Sequence, residues 1–263
     1  MPTLAVLTAA GSGTRLGLDV PKALVEVDGL PLVVHAARNL CASGVVDEIV
    51  VTCPAGLVDH VDLLLRDDPG VDRPVRAVVG GGTRQESVEA GLRAGLGRAA
   101  GTDSGTDSDA GAGGAAGVDV VVVHDAARPA ASPDLVRRVV AAVRSGHVAV
   151  VPGLPVVDTI KRVEPGADGV GAERVTATVD RDVLRAVQTP QAFDRGVLQR
   201  AHAESVHRAG SEHLAATDDA GLVEDLGLPV HVVPGEVSAA KITTAEDLHL
   251  ARWRAGHAAT RDR

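Results

Sequence analysis

A glycine-rich turn near the amino terminus is the first feature of the sequence that could carry out chemistry. Residues 9–17 read AAGSGTRLG and directly follow a short apolar run, and Lys22 comes shortly after them. At the carboxyl end of a strand, such a turn lets backbone N–H groups close around phosphate oxygens. Because Arg15 and Lys22 add two cations to the same segment, the sequence predicts a phosphate-binding loop. A turn that serves only for tight packing is the alternative.

Two further strand ends carry polar residues. A run of valines leads into His124 and Asp125, and Asp125 is a candidate Mg²⁺ ligand because this cation takes carboxylate oxygens together with substrate phosphates. The alternative is a turn-capping carboxylate paired with Arg128. His124 is expected to be a packed or hydrogen-bonded imidazole rather than a catalyst. Residues 80–87, GGGTRQES, form a second glycine-rich junction between a strand and a helix, which taken alone could be a simple turn.

Two common nucleotide-binding loops do not fit. A dinucleotide fingerprint needs GxGxxG and an acidic residue at the end of the second strand, but the third glycine is displaced and that strand ends in TCP at 52–54. A Walker A loop needs Gly before Lys22, where Pro21 stands. Only three of the 26 basic residues are lysines, Lys22, Lys161 and Lys241. All three lie beside polar motifs, as expected where a compact ammonium is needed, although chance could also place them there.

These motifs need a scaffold that brings strand ends together, and the alternation of apolar patterns predicts one. Short β-branched runs alternate with stretches of helical periodicity, which favours one doubly wound, mostly parallel α/β sheet with helices on both faces. The strands are predicted at Leu4–Thr8, Glu48–Cys53, Val75–Val79, Val118–Val123 and His147–Val151. The helices are indicated by the spacing of Leu32 to Leu40 and Val88 to Leu96, by Ser132 before Pro133, and by the capping-box spacing of Thr243 and Glu246.

Two segments interrupt this alternation within what we expect to be a single domain over 1–263. Residues 97–117 contain almost nothing that could be buried, so they are expected to form a flexible surface insert without a function. Residues 155–181 are typical of an antiparallel hairpin that stands away from the sheet. Because an isolated hairpin is only marginally stable in water, we expect this β-arm to pack on a second subunit.

Composition narrows the possible partners. The net charge is −9 and Phe193 and Trp253 are the only aromatic side chains of the Phe, Trp and Tyr type, which disfavours nucleic-acid binding. The two cysteines, Cys41 and Cys53, show no metal-binding spacing and are expected to be buried thiols. No apolar run reaches the ~20 residues of a membrane span. We therefore expect a cytoplasmic protein that binds neither nucleic acid nor membrane.

Four separated motifs are together similar to one family. They are AAGSGTRLGLDVPK (9–22), GGTRQESV (81–88), HDAARP (124–129) and TPQAF (189–193). The set resembles the 2-C-methyl-D-erythritol 4-phosphate cytidylyltransferases of the nonmevalonate isoprenoid pathway. The segments DTIK (158–161), TVDR (178–181), TDDA (217–220) and KIT (241–243) follow in the family's order, so the resemblance covers nearly the whole chain.

The resemblance implies a Rossmann-like nucleotidyltransferase fold, a homodimer with an exchanged β-arm, and a reaction of CTP with methylerythritol phosphate that requires Mg²⁺. It implies that Arg15 and Lys22 are catalytic cations and that Asp125 serves the metal and the nucleotide. Arg181 is expected to reach the partner's site. The implied nucleotide-binding residues are Ala9, Ala10, Gly11, Gly13, Gly81, Ser87, Asp125 and Lys241, and the implied residues of the acceptor side are Arg128, Thr159, Arg181 and Thr189, with Lys241 near both.

The implied mechanism needs no general base, because a phosphate monoester with a second pKa of ~6 is already ionised at neutral pH. Catalysis then consists of charge neutralisation and alignment. One departure from the family pattern is Ala239–Ala240, where members often have Asn at the first position, which leaves the local contacts of Lys241 open. A pentitol phosphate such as ribitol 5-phosphate as acceptor, a non-catalytic nucleotide-binding module and a nicotinamide-dependent dehydrogenase are the alternatives.

Overall fold

The computed structural model describes residues 1–11, 13, 17, 20–97, 119–164, 171–206 and 218–258. The predicted insert at 97–117 therefore lies outside the described residues apart from Gly97. Runs of Val, Ile and Leu form the central strands, and the β-branched side chains of Val and Ile favour this extended conformation. The strands are β1 (Thr3–Thr8), β2 (Glu26–Val27), β3 (Leu30–Pro31), β4 (Glu48–Cys53), β5 (Val75–Val79), β6 (Val120–Asp125), β7 (Ala149–Pro155), β8 (Ile160–Glu164), β9 (Arg174–Val179), β10 (Arg185–Val187), β11 (Gln191–Asp194) and β12 (His231–Pro234).

Eight of these strands form one mixed sheet in the order β10-β7-β11-β6-β1-β4-β5, with β12 also paired to β7. The pairs β1–β4, β1–β6, β4–β5 and β7–β12 are parallel, whereas β11 runs antiparallel to β6 and β7 and β10 runs antiparallel to β7. The predicted doubly wound, mostly parallel sheet is thus confirmed. The carboxyl ends of β1 and β6 lie side by side, with Thr8 paired to Asp125.

Helices cover both faces of the sheet. They are α1 (Leu32–Ala42), α2 (Val58–Arg66), α3 (Arg84–Leu96), α4 (Pro133–Arg144), α5 (Arg195–Glu204), α6 (Asp219–Asp225) and α7 (Ala245–Ala258). Because strand side chains alternate between faces, Ala5 and Leu7 of β1 pack with α1, α2 and α4, while Leu4 and Val6 pack with α3, α5 and α6. Among the described residues, no helix has both the length and the apolar character needed to cross a membrane.

The boundaries of four predicted elements differ from the structure. Strand β1 begins one residue earlier than predicted, at Thr3. Strand β6 starts at Val120 and ends at Asp125, and β7 extends to Pro155, so His124 and Asp125 are strand residues rather than loop residues. The capping box of α7 lies one residue later than predicted: the Thr244 amide donates to Asp247 Oδ2 at 2.8 Å, and the Asp247 amide donates to Thr244 Oγ1 at 3.3 Å. Asp247 also accepts from the Thr243 amide, so one carboxylate serves two donors.

The predicted antiparallel hairpin is present as β8 and β9, which pair only with each other. All five residues of β8 are exposed, as are four of the six residues of β9. The two buried cysteines are also confirmed, and burial raises the pKa of the Cys53 thiol to about 11. Phe193 is buried, whereas Trp253 is 54% exposed on α7, so the core consists almost entirely of Val, Leu and Ala.

Candidate active site

A cavity of about 550 Å³ opens at the carboxyl ends of β1 and β6, where the sequence predicted a ligand site. The amino terminus of α3 and the segment that precedes α7 form its other walls. The structure brings together in this cavity every predicted nucleotide-binding residue and one of the two predicted catalytic residues: Ala9, Ala10, Gly11, Gly13, Lys22, Gly81, Ser87, Asp125 and Lys241. Arg15, the other predicted catalytic residue, lies outside the described residues.

Glycine is required in both loops of this cavity. Gly13 has a φ of +72°, and a Cβ atom there would lie 2.8 Å from the Cβ of Lys22. A Cβ atom on Gly81 would overlap the Cβ of Glu86. Side chains at either position would push the loops apart, because real Cβ atoms essentially never approach this closely. The backbone at Gly13 can therefore lie close to Lys22, and the second loop can fold onto the first turn of α3.

The backbone amides of the second loop are occupied within the protein. Gly81 donates to Ser87 Oγ at 3.1 Å, and Gly82 and Thr83 donate to Glu86 Oε2 at 2.8 and 3.1 Å. Thr83 completes a capping box with Glu86 at the start of α3. These bonds occupy the amides of Gly81, Gly82 and Thr83 within the loop and the first turn of α3. The carbonyl oxygens of Gly81 and Thr83 accept from Ser87 Oγ at 3.4 and 2.9 Å. The Gly81 carbonyl keeps a second lone pair with which it can accept a further hydrogen bond.

Asp125 is the acidic residue at the centre of the cavity. Its Oδ1 accepts from Arg84 Nε at 3.2 Å and from Thr8 Oγ1 at 3.2 Å, and its Oδ2 accepts from Lys241 Nζ at 2.8 Å. Burial opposes ionisation of Asp125, but the charges of Arg84 and Lys241 outweigh that penalty and hold its pKa well below the usual range. Asp125 is therefore a carboxylate at neutral pH. Its side-chain partners among the described residues are Thr8, Arg84 and Lys241, rather than the Arg128 of the turn-capping alternative.

The imidazole of His124 is part of the core of the site. His124 is 1% exposed, and its Nδ1 lies 2.9 Å from Thr189 Oγ1, which also accepts from the Asp125 amide at 3.0 Å. Burial lowers the pKa of His124 to about 4, although the adjacent carboxylate favours the charged form. A neutral, hydrogen-bonded imidazole agrees with the expectation that His124 is not a catalyst. Thr189 thus fixes the end of β6 as well as lining the neighbouring cavity.

A second cavity, of about 220 Å³, adjoins the first and shares Arg84, Asp125 and Lys241 with it. The predicted acceptor-side residues Arg128 and Thr189 line it. Arg128 is held in place by Nη1, which donates to the Ala239 carbonyl at 2.8 Å. This contact uses a backbone atom, so Ala239 can replace the polar residue that the family often has there.

Two predicted acceptor-side residues lie away from both cavities. Thr159 and Arg181 are exposed near the base of the β-arm, and Arg181 Nη1 donates to the Val157 carbonyl at 2.5 Å. Their assignment to the partner's site stays a prediction.

Arg84, which lines both cavities and joins them, was not predicted as a site residue. Arg84 is the first residue of α3 and pairs with Asp125 and Asp219, which are far away along the chain. Gln191 and Asp218 were not predicted either; they line the second cavity and are joined by a 2.9 Å hydrogen bond. The motifs GGTRQESV, TPQAF and TDDA contain these three residues, so their joint presence was the available signal.

The donor set of the cavity is compatible with Mg²⁺. Among the described residues there is no cluster of three or more His, Cys, Asp or Glu side chains that could hold a metal by itself. Mg²⁺ is usually bound by one or two carboxylates together with waters and substrate phosphates. A carboxylate has about four lone-pair positions, and the contacts from Arg84, Thr8 and Lys241 leave one of them on Oδ2 of Asp125.

A mostly parallel α/β sheet with glycine-rich loops, lysines and one ionised carboxylate at its carboxyl edge defines a nucleotidyltransferase. The family model of 2-C-methyl-D-erythritol 4-phosphate cytidylyltransferase (IspD) matches residues 3–255. The chain belongs to this family.

Individual relatives agree with this assignment. A cytidylyltransferase of that name from Nocardia farcinica is 47% identical over 248 residues, which cover 94% of this chain and 91% of the relative. One from Streptomyces avermitilis is 44% identical over 250 residues, covering 95% and 90%. The crystal structure of the enzyme from Thermus thermophilus is 36% identical with a TM-score of 0.66 and covers 97% of this chain and 99% of that one.

Proposed function

We propose that this protein transfers CMP from CTP to 2-C-methyl-D-erythritol 4-phosphate and releases pyrophosphate, by direct attack of the acceptor phosphate on the α-phosphorus of CTP. The observation that carries the proposal is the pair of adjoining cavities, of about 550 and about 220 Å³, which share Arg84, Asp125 and Lys241. A nucleotide in the larger cavity and a small polyol phosphate in the smaller one meet at this shared charged border.

The second glycine-rich loop suits cytosine. Its amides already donate to Ser87 and Glu86, and the Gly81 carbonyl keeps a second lone pair beyond its bond from Ser87 Oγ. Cytosine carries an exocyclic amine that donates hydrogen bonds, whereas uracil has a carbonyl oxygen at the same position. An acceptor at Gly81 would therefore favour CTP over UTP.

Charge neutralisation is the main task of the site. The acceptor phosphate is already a dianion near neutral pH, so the reaction needs no residue to remove a proton from it. Two anions must approach each other, and negative charge grows as pyrophosphate leaves. Lys22 and Lys241 line the nucleotide cavity and Arg128 lines the acceptor cavity, which provides cations on both sides of the reacting phosphorus.

Asp125 is the residue that would hold Mg²⁺, and the bound cation would neutralise and orient the triphosphate. Asp125→Asn removes the anionic ligand, so this variant is expected to lose most of the dependence of turnover on Mg²⁺ concentration. The measurement is a magnesium titration of pyrophosphate release by both proteins. A titration curve unchanged from the wild-type curve would count against the role of Asp125.

A homodimer that exchanges its β-arms would cover the exposed hairpin. Val175 on β9 is 55% exposed, and Val157 and Val183 near the base of the arm are 78% and 76% exposed. Apolar side chains exposed in this way favour burial against another chain. Thr159 and Arg181 lie at the base of the same arm, from which they would enter the partner's acceptor cavity. A cytoplasmic location also stays a prediction.

The reaction is tested by measuring pyrophosphate release from CTP, ATP, GTP and UTP, each with methylerythritol phosphate or ribitol 5-phosphate as acceptor. We expect release only with CTP and methylerythritol phosphate, together with formation of the cytidine diphosphate product. Preference for ribitol phosphate would overturn the acceptor assignment. CTP binding without release of pyrophosphate would overturn catalysis and support a nucleotide-binding module.

A further inference from the structure

A chain of buried charged groups leads from the nucleotide cavity to two residues that line neither cavity. Arg84 Nε donates to Asp125 Oδ1 at 3.2 Å, and Arg84 Nη1 donates to Asp219 Oδ2 at 2.6 Å. Asp219 Oδ1 lies 2.9 Å from His202 Nε2. The Asp219 and His202 side chains are 1% and 4% exposed. The proposed reaction uses neither of them, yet burying a carboxylate is costly unless it is paired.

The guanidinium of Arg84 is shared between two carboxylates, one inside the nucleotide cavity and one outside it. Arginine presents its N–H groups as a rigid fork that matches a carboxylate with two parallel bonds. In the Arg38–Asp68 pair this fork is formed by Nε and Nη2. In Arg84, Asp125 takes Nε and Asp219 takes Nη1, which is not part of that fork, while the buried Nη2 has no hydrogen-bond partner among the described residues. The two carboxylates therefore hold the guanidinium at two separate points and fix the direction in which Nε points. Without Asp219, the guanidinium is free to rotate, and its hydrogen bond to Asp125 is weakened.

The first turn of α3 is anchored to α5 and α6 by a second contact. Gln85 Nε2 donates to the carbonyl of Ser205, directly after α5, at 3.1 Å, and both groups are buried. His202 belongs to α5 and Asp219 is the first residue of α6. The two helices therefore hold the position of α3, which begins at the edge of the nucleotide cavity.

We propose that Asp219 is a positioning residue of the nucleotide site, held in place by His202, and that it acts on Asp125 through Arg84. It fixes the orientation of the Arg84 guanidinium, so that Nε points at Asp125 and holds this carboxylate in place for the ligand. The inference rests on the proposed function in one respect, which is that CTP is the ligand of the larger cavity.

The test is a double-mutant cycle read by calorimetric titration of CTP in the presence of Mg²⁺. Asp219→Asn keeps the shape of the side chain and removes its charge, and we expect it to raise the Kd for CTP about tenfold. In an Arg84→Met background, the same substitution should change the Kd less than about twofold, because the route to Asp125 is already broken. If Arg84→Met does not fold, the cycle is run in an Asp125→Asn background with the same expectation.

Asp68→Asn is the matched control. Asp68 accepts two hydrogen bonds from Arg38, at 2.7 and 2.8 Å, and neither residue lines a cavity. The same substitution thus breaks the same kind of ion pair elsewhere, and the Kd for CTP should stay at the wild-type value. His202→Gln retains a hydrogen-bond donor for Asp219, whereas His202→Leu has none. We therefore expect the Gln variant to bind CTP more tightly than the Leu variant.

An unchanged Kd in Asp219→Asn would overturn the proposal, and so would a tenfold loss that persists in both the Arg84→Met and Asp125→Asn backgrounds. If Asp219→Asn loses no more CTP affinity than Asp68→Asn does, Asp219 has a structural role alone and the proposal is wrong. Failure of the proposed function looks different: the wild-type protein would then either not bind CTP or bind it without releasing pyrophosphate, whereas this proposal fails on the Kd values of the variants.

Discussion

The cations that line the two cavities differ in how they are held. Arg84 is fixed by two carboxylates and Arg128 by the Ala239 carbonyl. Lys241 is 40% exposed and pairs with Asp125 alone among its described ion pairs. Lys22 follows the first glycine-rich loop, in contact with the Gly13 backbone region that forms the cavity wall. A compact ammonium on a flexible stem suits a charge that must follow a moving phosphate.

Lys22→Ala removes one of these charges without disturbing the core. We expect turnover to fall by about 10²-fold or more, because transition-state charge stabilisers contribute on this scale. Steady-state measurement of pyrophosphate release gives the turnover, and thermal unfolding shows whether the variant is folded. Arg93→Ala is the control, since Arg93 is exposed on α3 and pairs only with Glu89 among its described ion pairs. Near-normal turnover in folded Lys22→Ala would refute the catalytic assignment.

The residues of the nucleotide cavity could be predicted because their motifs are local. Gly11, Gly13, Gly81, Ser87 and Asp125 each stand in a short segment with a strand before it, and parallel strand ends meet at one edge. Arg84 and Asp219 could not be assigned in this way. Their role depends on the ion pairs of Arg84 with Asp125, 41 residues away along the chain, and with Asp219, 135 residues away. A single sequence does not specify such pairs.

At the scale of elements, the close packing of α3 on the sheet sets the position of the second glycine-rich loop, which directly precedes this helix. Gly91 and Gly95 face β1, and a Cβ atom on Gly91 would overlap Val6 Cγ1. Gly91→Ala must therefore move α3 or the strand, and we expect a loss of about 1–3 kcal/mol of unfolding free energy. Chemical denaturation measures it. Gly97→Ala, where nothing lies within 4 Å, should be close to neutral, and equal stability of the two variants would contradict the packing.

The ion pair between Arg38 on α1 and Asp68 after α2 gives a pH-dependent contribution to stability. The Arg38 hydrogen bond lowers the pKa of Asp68 below its ordinary value of 3.8. Since the folded state binds this proton less readily, the stabilisation is present above pH 3.8 and is lost as the pH falls through the lower, folded-state pKa. We expect Asp68→Asn to be about 1 kcal/mol less stable at pH 7. The difference should shrink in denaturation curves below pH 4, and a constant difference would contradict this.

The parallel strands were predictable because buried β-branched runs are distinctive, and β4 and β5 have the predicted boundaries. The short strands β10, β11 and β12 were not predicted. They contain three or four residues each and gain their stability from pairing with β6 and β7 rather than from their own pattern. The capping box of α7 was misplaced by one residue because neighbouring threonines, Thr243 and Thr244, offer alternative caps.

At the scale of the whole molecule, the exposed β-arm is the feature on which the proposed homodimer rests. If the arm of one subunit completes the site of the other, each site combines Lys22 of one chain with Arg181 of its partner. Lys22→Ala and Arg181→Ala homodimers would each be impaired, but a mixed dimer regains one intact site. We therefore expect activity to appear when the two variants are mixed under conditions of demonstrated subunit exchange. No gain in activity would argue against a shared site.

A crystal structure with a non-hydrolysable CTP analogue and methylerythritol phosphate tests the two-cavity arrangement most directly. We predict that cytosine lies beside Gly81 and Ser87, that the triphosphate lies against Lys22, and that the acceptor phosphate lies in the smaller cavity next to Arg128. The α-phosphorus should then face the acceptor phosphate across the border formed by Arg84, Asp125 and Lys241. A triphosphate bound away from this border would contradict the proposed site and the mechanism built on it.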